Sequence, residues 1–344
     1  MLKTVIFTLL APLIGGGNSL AFNKKDDSAF FGKDYTTVLK GLCCLIVIYV
    51  HVPVAYRNPV QDAIGSFAYV CVTLFFLISA YGMMLSAERK GDYLKHFWKN
   101  RLVALLVPCM MVNIAALCLK AASTGEWVFA TLKSINYYVI ILLQWCVWFY
   151  IVMLCRKKWF ANNTSLTDAL LIGGVLLSSL YSYFFIEAEV SANSGWPFER
   201  MGLIWGVLLY RYFGVIKEWM DKNRWAKVAI LAIVGGLVGV AYLKFKTVYF
   251  WGEYLLKIVL GLALIMLLFT ATSNRHFGNR VSYWLGNISY EIYLAHHAVM
   301  AALAVWLGST VDSGEFILLT VICTLIIATI THEAGKPIVK LLRK

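Results

Sequence analysis

Residues 136–158 read NYYVIILLQWCVWFYIVMLCRKK, twenty uncharged positions closed by Arg156, Lys157 and Lys158. At about 1.5 Å per residue such a helix reaches about 30 Å, the thickness of the hydrocarbon core of a bilayer. The basic cluster at its end marks the cytoplasmic side, where Lys and Arg are retained.

Outward from this block, apolar stretches of similar length recur at 37–56, 62–86, 101–121, 167–186, 198–215, 226–243, 249–272, 281–307 and 314–333. The expected fold is all-α, a polytopic integral membrane protein with a bundle of about ten transmembrane helices. Composition agrees: of 344 residues, 60% are apolar and 14% charged, too few charges to cover a soluble globule of this size. Most cations fall in alternate loops, around 24–40, 89–101, 156–158, 211–227, 275–280 and 336–344. The opposite loops hold Arg57, Lys120, Lys133, Arg200, Lys244, Lys246 and Lys257. That bias of about three to one predicts cytoplasmic termini and a place in the cell inner or plasma membrane. The outer loop after the fifth span is acidic, with Glu187, Glu189 and Glu199; Glu199 and Arg200 partly neutralise each other.

A net charge of +13 would suit nucleic acid if the cations formed one face, but they are divided among loops, so no nucleic-acid partner is expected. Cys43, Cys44, Cys71, Cys109, Cys118, Cys146, Cys155 and Cys323 lie in or beside apolar runs without CxxC spacing. They read as small buried residues, and no metal site is expected. Lys3, an apolar run and Gly15-Gly16-Gly17 form a segment short for a span and without an A-x-A cleavage pattern. Residues 1–34 thus read as an amino-terminal extension, and 35–344 as a single ten-helix domain.

An ionisable side chain within a span costs about 2.5–3.5 kcal/mol on insertion scales, so each needs a reason. In the first span, LKGLCCLIVIYVH places Lys40 eleven residues before His51. Eleven steps of about 100° return to the same face, with about 16 Å between the two along the axis. A neutral His suits general-base work, and a Lys at the inner mouth suits an anion. The simpler alternatives are a headgroup anchor for Lys40 and an interhelical hydrogen bond for His51. In the ninth span, SYEIYLAHH lines Ser289, Tyr293 and His296 along one stripe. Glu291 falls on another face, and His297 points about 100° from His296, so only one of the two histidines is expected to serve a site. Ala80 and Gly82 in the second span allow close helix approach. Arg101 opens the third span at its inner edge, as a phosphate binder or one more inside charge.

The order of several segments carries more than any one alone. Lys40-x10-His51, Phe75-Phe76-x-x-Ser79-Ala80-Tyr81, Arg101 through Pro108, Trp148-Phe149-Tyr150, Arg200 through Gly206, and Gly286-Asn287-x-Ser289-Tyr290-x-x-Tyr293-Leu294-x-His296 follow one another along almost the whole chain. Together they resemble the membrane-bound acyltransferase family 3, whose members O-acylate sugars, peptidoglycan and exported small molecules. Lys40 stands where that family usually has Arg, Leu105 where it has a second Arg after Arg101, and Ala80 where it has Gly. Gly335-Lys336-Pro337 lacks the acid of the usual tail.

The resemblance implies an acyl-CoA donor, usually acetyl-CoA, reaching the protein from the cytoplasm. It implies a glycan or lipid-linked sugar acceptor, with the lipid bilayer as the remaining partner. His51 would act as general base or acyl carrier, while Ser79, Tyr293 and His296 orient it or stabilise the oxyanion. Lys40 and Arg101 would hold the donor. The competing classes are a secondary transporter or lipid-linked sugar flippase using the buried His and Lys for proton coupling, and a scaffold in an export complex. The sequence shows no paired broken helices of the transporter kind. No oligomeric state is read from the sequence.

Overall fold

The computed structural model describes residues 30–161, 163–186, 196–274, 278–308 and 311–343. The apolar segment of the expected extension and the acidic pair Glu187 and Glu189 lie outside the described residues, as do Lys24, Lys25, Arg275 and Lys344. The elements are α1 Lys33–Val50, α2 Pro59–Gly65, α3 Tyr69–Arg89, α4 Phe97–Thr124, α5 Tyr137–Trp159, α6 Thr164–Tyr181 and α7 Met201–Arg211. They continue as α8 Phe213–Asp221, α9 Arg224–Phe245, α10 Leu256–Thr272, α11 Arg280–Asn287, α12 Ser289–Leu307 and α13 Ser313–Arg343. No strand occurs among the described residues. Helices dominate because hydrocarbon offers no partner for backbone N–H and C=O groups, which must be satisfied inside the segment.

Among the described residues, eight helical stretches are long and apolar enough to cross a membrane: Pro59–Arg89, Phe97–Thr124, Phe129–Trp159, Thr164–Ile186, Arg224–Phe245, Trp251–Thr272, Ser289–Leu307 and Ser313–Arg343. The chain is therefore an all-α, multi-pass membrane protein. Two of the ten expected spans are helical but fall short of that measure. The first, α1, carries Lys33, Asp34 and Lys40 within its 18 residues. The sixth is divided, with α7 only 11 residues long before a turn at Tyr212 leads into α8. Both can depart from uniform apolarity because other helices cover them. Val38, Leu39, Cys44, Val47 and Ile48 of α1 are buried, as are Gly202, Leu203, Val207 and Leu209 of α7.

Small residues set the closest seams. Gly202 and Gly206 lie one turn apart on α7, and a Cβ on either would collide with a backbone oxygen of α3, Thr73 O or Leu77 O. Ala80 meets Gly206 at the same seam. Without a hydrophobic drive between helices in lipid, this close contact is what holds such a pair. Gly82, expected to serve the same end, has open space where its Cβ would be; it stands beyond the crossing. Gly41 and Gly286 form a second seam between α1 and α11.

Breaks occur where the sequence reading runs straight through. Residues 66–68 separate α2 from α3, and Ile288 (φ −98°, ψ 7°) separates α11 from α12, splitting the expected 281–307 span. Each break follows a glycine, Gly65 or Gly286. The Ser289 hydroxyl donates to Gly286 O at 2.8 Å, satisfying a carbonyl that the interruption frees. Beyond Ile288, α12 packs against α1, α4 and α13, and Glu291, Tyr293 and His296 on it look into protein.

Candidate active site

His51 caps the carboxyl end of α1, its N–H bonded to Ile48 O at 3.2 Å. His296 sits mid-way along α12, with 1% of its surface exposed. The two rings meet, His296 Nε2 lying 3.0 Å from His51 Nδ1. His296 Nδ1 lies 3.3 Å from Ile292 O, which can only accept, so that nitrogen carries the proton. In a neutral ring Nε2 then holds a lone pair and accepts from His51 Nδ1–H, which also points at Val47 O, 3.1 Å away. The pattern leaves the lone pair of His51 on Nε2. The Ile292 carbonyl thus fixes the tautomer of the half-buried ring through the buried one.

His297 joins this pair. Its ring centroid is 4.2 Å from that of His51 and 4.3 Å from that of His296. Although His297 points about 100° from His296, the end of α1 stands across the helix surface at a point near both rings. One ring nitrogen from each of the three lies within 4.8 Å of the others, so they could hold a metal ion. Zinc would need nitrogen distances near about 2.0–2.1 Å from a common centre.

Tyr293 packs beside His296 at 5.8 Å between centroids and against Tyr138 at 5.0 Å. Ser79 lies beside Tyr138, so two tyrosine rings stand between it and the imidazoles. Phe75 of the same α3 segment stands edge-on to Tyr293 at 6.0 Å. His51 and Tyr293 line a cavity of about 350 Å³ with Tyr69, Trp196, Phe198, Glu199, Tyr242 and Lys257. The Lys257 ammonium lies 4.0 Å from the Phe198 ring centroid, a cation–π contact, and Tyr69 OH donates to Lys257 O at 3.0 Å. Sequence reasoning left Lys257 as a loop cation and Glu199 as a partner of Arg200. In the fold both sit on the wall facing His51, which no helical spacing could show because three separate elements bring them together.

Lys40 faces the same helix as His51, as the eleven-residue spacing requires. Its electrostatic neighbours are Lys33, Glu291 and Cys44. Glu291, 4% exposed, accepts from His332 Nδ1 of α13 at 2.8 Å. This buried acid–imidazole pair escaped sequence reasoning, since nothing in the chain announces that α13 lies beside α12. Arg101 sits in the first turns of α4, where Nη2 donates to Tyr93 OH at 2.9 Å and the guanidinium lies 5.9 Å from the Phe97 ring centroid. Phe97 in turn packs on Phe149 and Tyr150 of the Trp148-Phe149-Tyr150 segment. Tyr93 lines a separate cavity of about 460 Å³ together with Glu88, Lys90, Asp92, Lys95, Arg156 and Lys157.

The helices cross the membrane several times, and the end of α1 and the middle of α12 bring three imidazoles together. The family model described as an acyltransferase domain, Acyl_transf_3, matches residues 34–333, and the chain belongs to that family. It is an acyltransferase, and the permease and scaffold alternatives have no comparable support. No curated protein and no solved structure matches the chain.

Proposed function

We propose that this protein transfers an acyl group, acetyl in the simplest case, from acyl-CoA at the cytoplasmic face to a hydroxyl of a glycan or lipid-linked sugar. The observation that carries the reading is the 3.0 Å contact between His296 Nε2 and His51 Nδ1, which puts a lone pair on His51 Nε2. That nitrogen takes the proton of the acceptor hydroxyl as the oxygen attacks the thioester carbonyl. The tetrahedral intermediate collapses with departure of the CoA thiolate, which takes up the proton held on His51. The imidazolium formed meanwhile is stabilised through Nδ1–H by His296 Nε2 and Val47 O. His51 carrying the acyl group on Nε2 is the covalent variant of the same geometry.

The aromatic rings of Tyr69, Trp196, Phe198, Tyr242 and Tyr293, with Glu199 and Lys257, suit the acceptor, because sugars present C–H faces to rings and hydroxyls to charged groups. Lys40 and Arg101 hold donor phosphates or the thioester, being cations near poorly hydrated ground. CoA carries several charges and does not cross hydrocarbon, so the donor is used from the cytoplasm. The alternation of the loop cations supports cytoplasmic termini in a plasma or inner membrane. Mass spectrometry of surface glycans from cells carrying His51→Ala should show the acyl modification lost while the protein inserts at normal levels. Unchanged modification in that variant removes His51 as base or acyl carrier.

A further inference from the structure

The cavity beside Tyr93, of about 460 Å³, lies at the opposite end of α3 from the cavity at His51. Ala87 lines the first and Tyr69 the second, eighteen residues apart on one helix, or about 27 Å along its axis. Its wall comes from the end of α3, the turn that follows and the end of α5. Two carboxylates, Glu88 and Asp92, line it together with four cations, Lys90, Lys95, Arg156 and Lys157. Arg156 Nη1 donates to Glu88 Oε1, and Asp92 lies 3.7 Å from Nε2 of His96. Lys90, Lys95 and Lys157 make no ion pair or side-chain hydrogen bond among the described residues. Cations that serve only to orient the chain need no common position within their loops. Here three of them line one hollow, while Lys99 and Lys158 of the same loops stay outside it. Tyr93 joins this hollow to the bundle, since its OH accepts from Arg101 Nη2 in the first turns of α4.

We propose that this cavity binds the 3′-phosphate of the acyl-CoA donor, with Lys90, Lys95 and Lys157 as its cations. The assignment rests on the acyl-CoA reading. A CoA thioester is long, and its most highly charged group, a phosphomonoester of about −1.5 to −2 charge at pH 7, stands at the end remote from sulfur. Two cavities at opposite ends of the bundle suit such a molecule, whose charged end stays in the cytoplasm while its reacting end points inward. The pyrophosphate, nearer to sulfur, then falls toward Arg101 on the inner side of Tyr93. Lysine suits the outer position because a point charge on a flexible stem meets phosphate oxygens from several directions. Each contact at this hydrated rim is weak alone, so the three act together.

The test compares ligands that differ at this one phosphate, on the purified full chain in detergent. Adenosine 3′,5′-bisphosphate should raise the melting temperature more than 5′-AMP or pyrophosphate does. In thiol release, KM for acetyl-CoA should lie below that for acetyl-dephospho-CoA by about fivefold or more, with kcat alike. The combined variant Lys90→Gln, Lys95→Gln, Lys157→Gln should raise KM for acetyl-CoA to the dephospho value and leave the latter where it was. Because loss of three inside cations also acts on insertion, two controls accompany it. Arg at the same three positions, and Lys158→Gln outside the cavity, should each keep the preference. Equal KM for the two donors in the wild type, an undiminished preference in the glutamine variant, or an equal loss in Lys158→Gln would overturn the site. So would stabilisation by phosphatidylglycerol, abolished in the glutamine variant, with none from the bisphosphate: the cations would then serve inner-leaflet headgroups. The two readings fail separately. A wild type that prefers the bisphosphate yet releases no CoA from acetyl-CoA counts against the acyl-CoA reading and leaves the phosphate site standing, whereas equal turnover of both donors counts against the site alone.

Discussion

At the scale of single residues, the site divides into groups that spacing reveals and groups that only packing reveals. His51, Tyr293 and His296 are visible in the sequence because an ionisable or hydroxyl side chain inside an apolar run is costly and must face protein. His297 is different. Its 100° offset from His296 leaves only one of the pair expected at a site, yet both rings stand near His51 because the end of α1 lies across from them. If His51 is the base, His51→Ala should lower acyl transfer by about 10²–10⁴-fold, the usual worth of a positioned proton acceptor, with purification yield unchanged. Lys40→Arg should retain most activity and Lys40→Ala little; full activity of Lys40→Ala would leave Lys40 as a headgroup anchor. The three imidazoles allow a sharper check on the base reading. Treatment with a strong chelator should leave activity as it was, and a loss restored by added zinc would make the cluster a metal centre instead.

Among the elements, the glycine seams were partly legible. The run from Arg200 to Gly206 marks α7, and its two glycines press on α3 at Thr73 and Leu77. Gly206→Leu should destabilise the protein by about 1–3 kcal/mol or prevent its assembly, because the obstructing atom is a backbone oxygen that cannot rotate away. Gly82→Ala, one residue from the FFxxSAY stretch but with open space around it, should unfold at the wild-type temperature. Ala and Leu both favour a helix over Gly, so a matching loss of stability in both variants would mean that something other than the close seam at Gly206 decides. The interruptions at 66–68 and Ile288 were not read from the sequence. Apolar periodicity does not register a single residue leaving helical geometry, and the glycines before them are common within membrane helices.

The whole molecule shows the strength and the limit of hydropathy. Eight stretches were legible as crossings because each meets the bilayer's length and apolarity unaided. α1 and α7 are also apolar stretches in the sequence, but they fall short of that measure and depend on neighbours for their burial. The orientation given by the loop cations makes a vectorial prediction: in sealed vesicles, acetyl-CoA should support acylation only when supplied to the face bearing Arg156, Lys157 and Lys158. Use of donor from the other face would reverse the topology. In the proposed mechanism the chemistry turns on the coupling of His51 to His296, and a double-mutant cycle on CoA release by the purified protein reads it directly. If His296 acts by holding the tautomer of His51, then His296→Ala alone should be strongly impaired, and adding it to His51→Ala should cost nothing further. Wild-type turnover in His296→Ala, or losses that multiply in the double variant, would contradict the paired-imidazole mechanism.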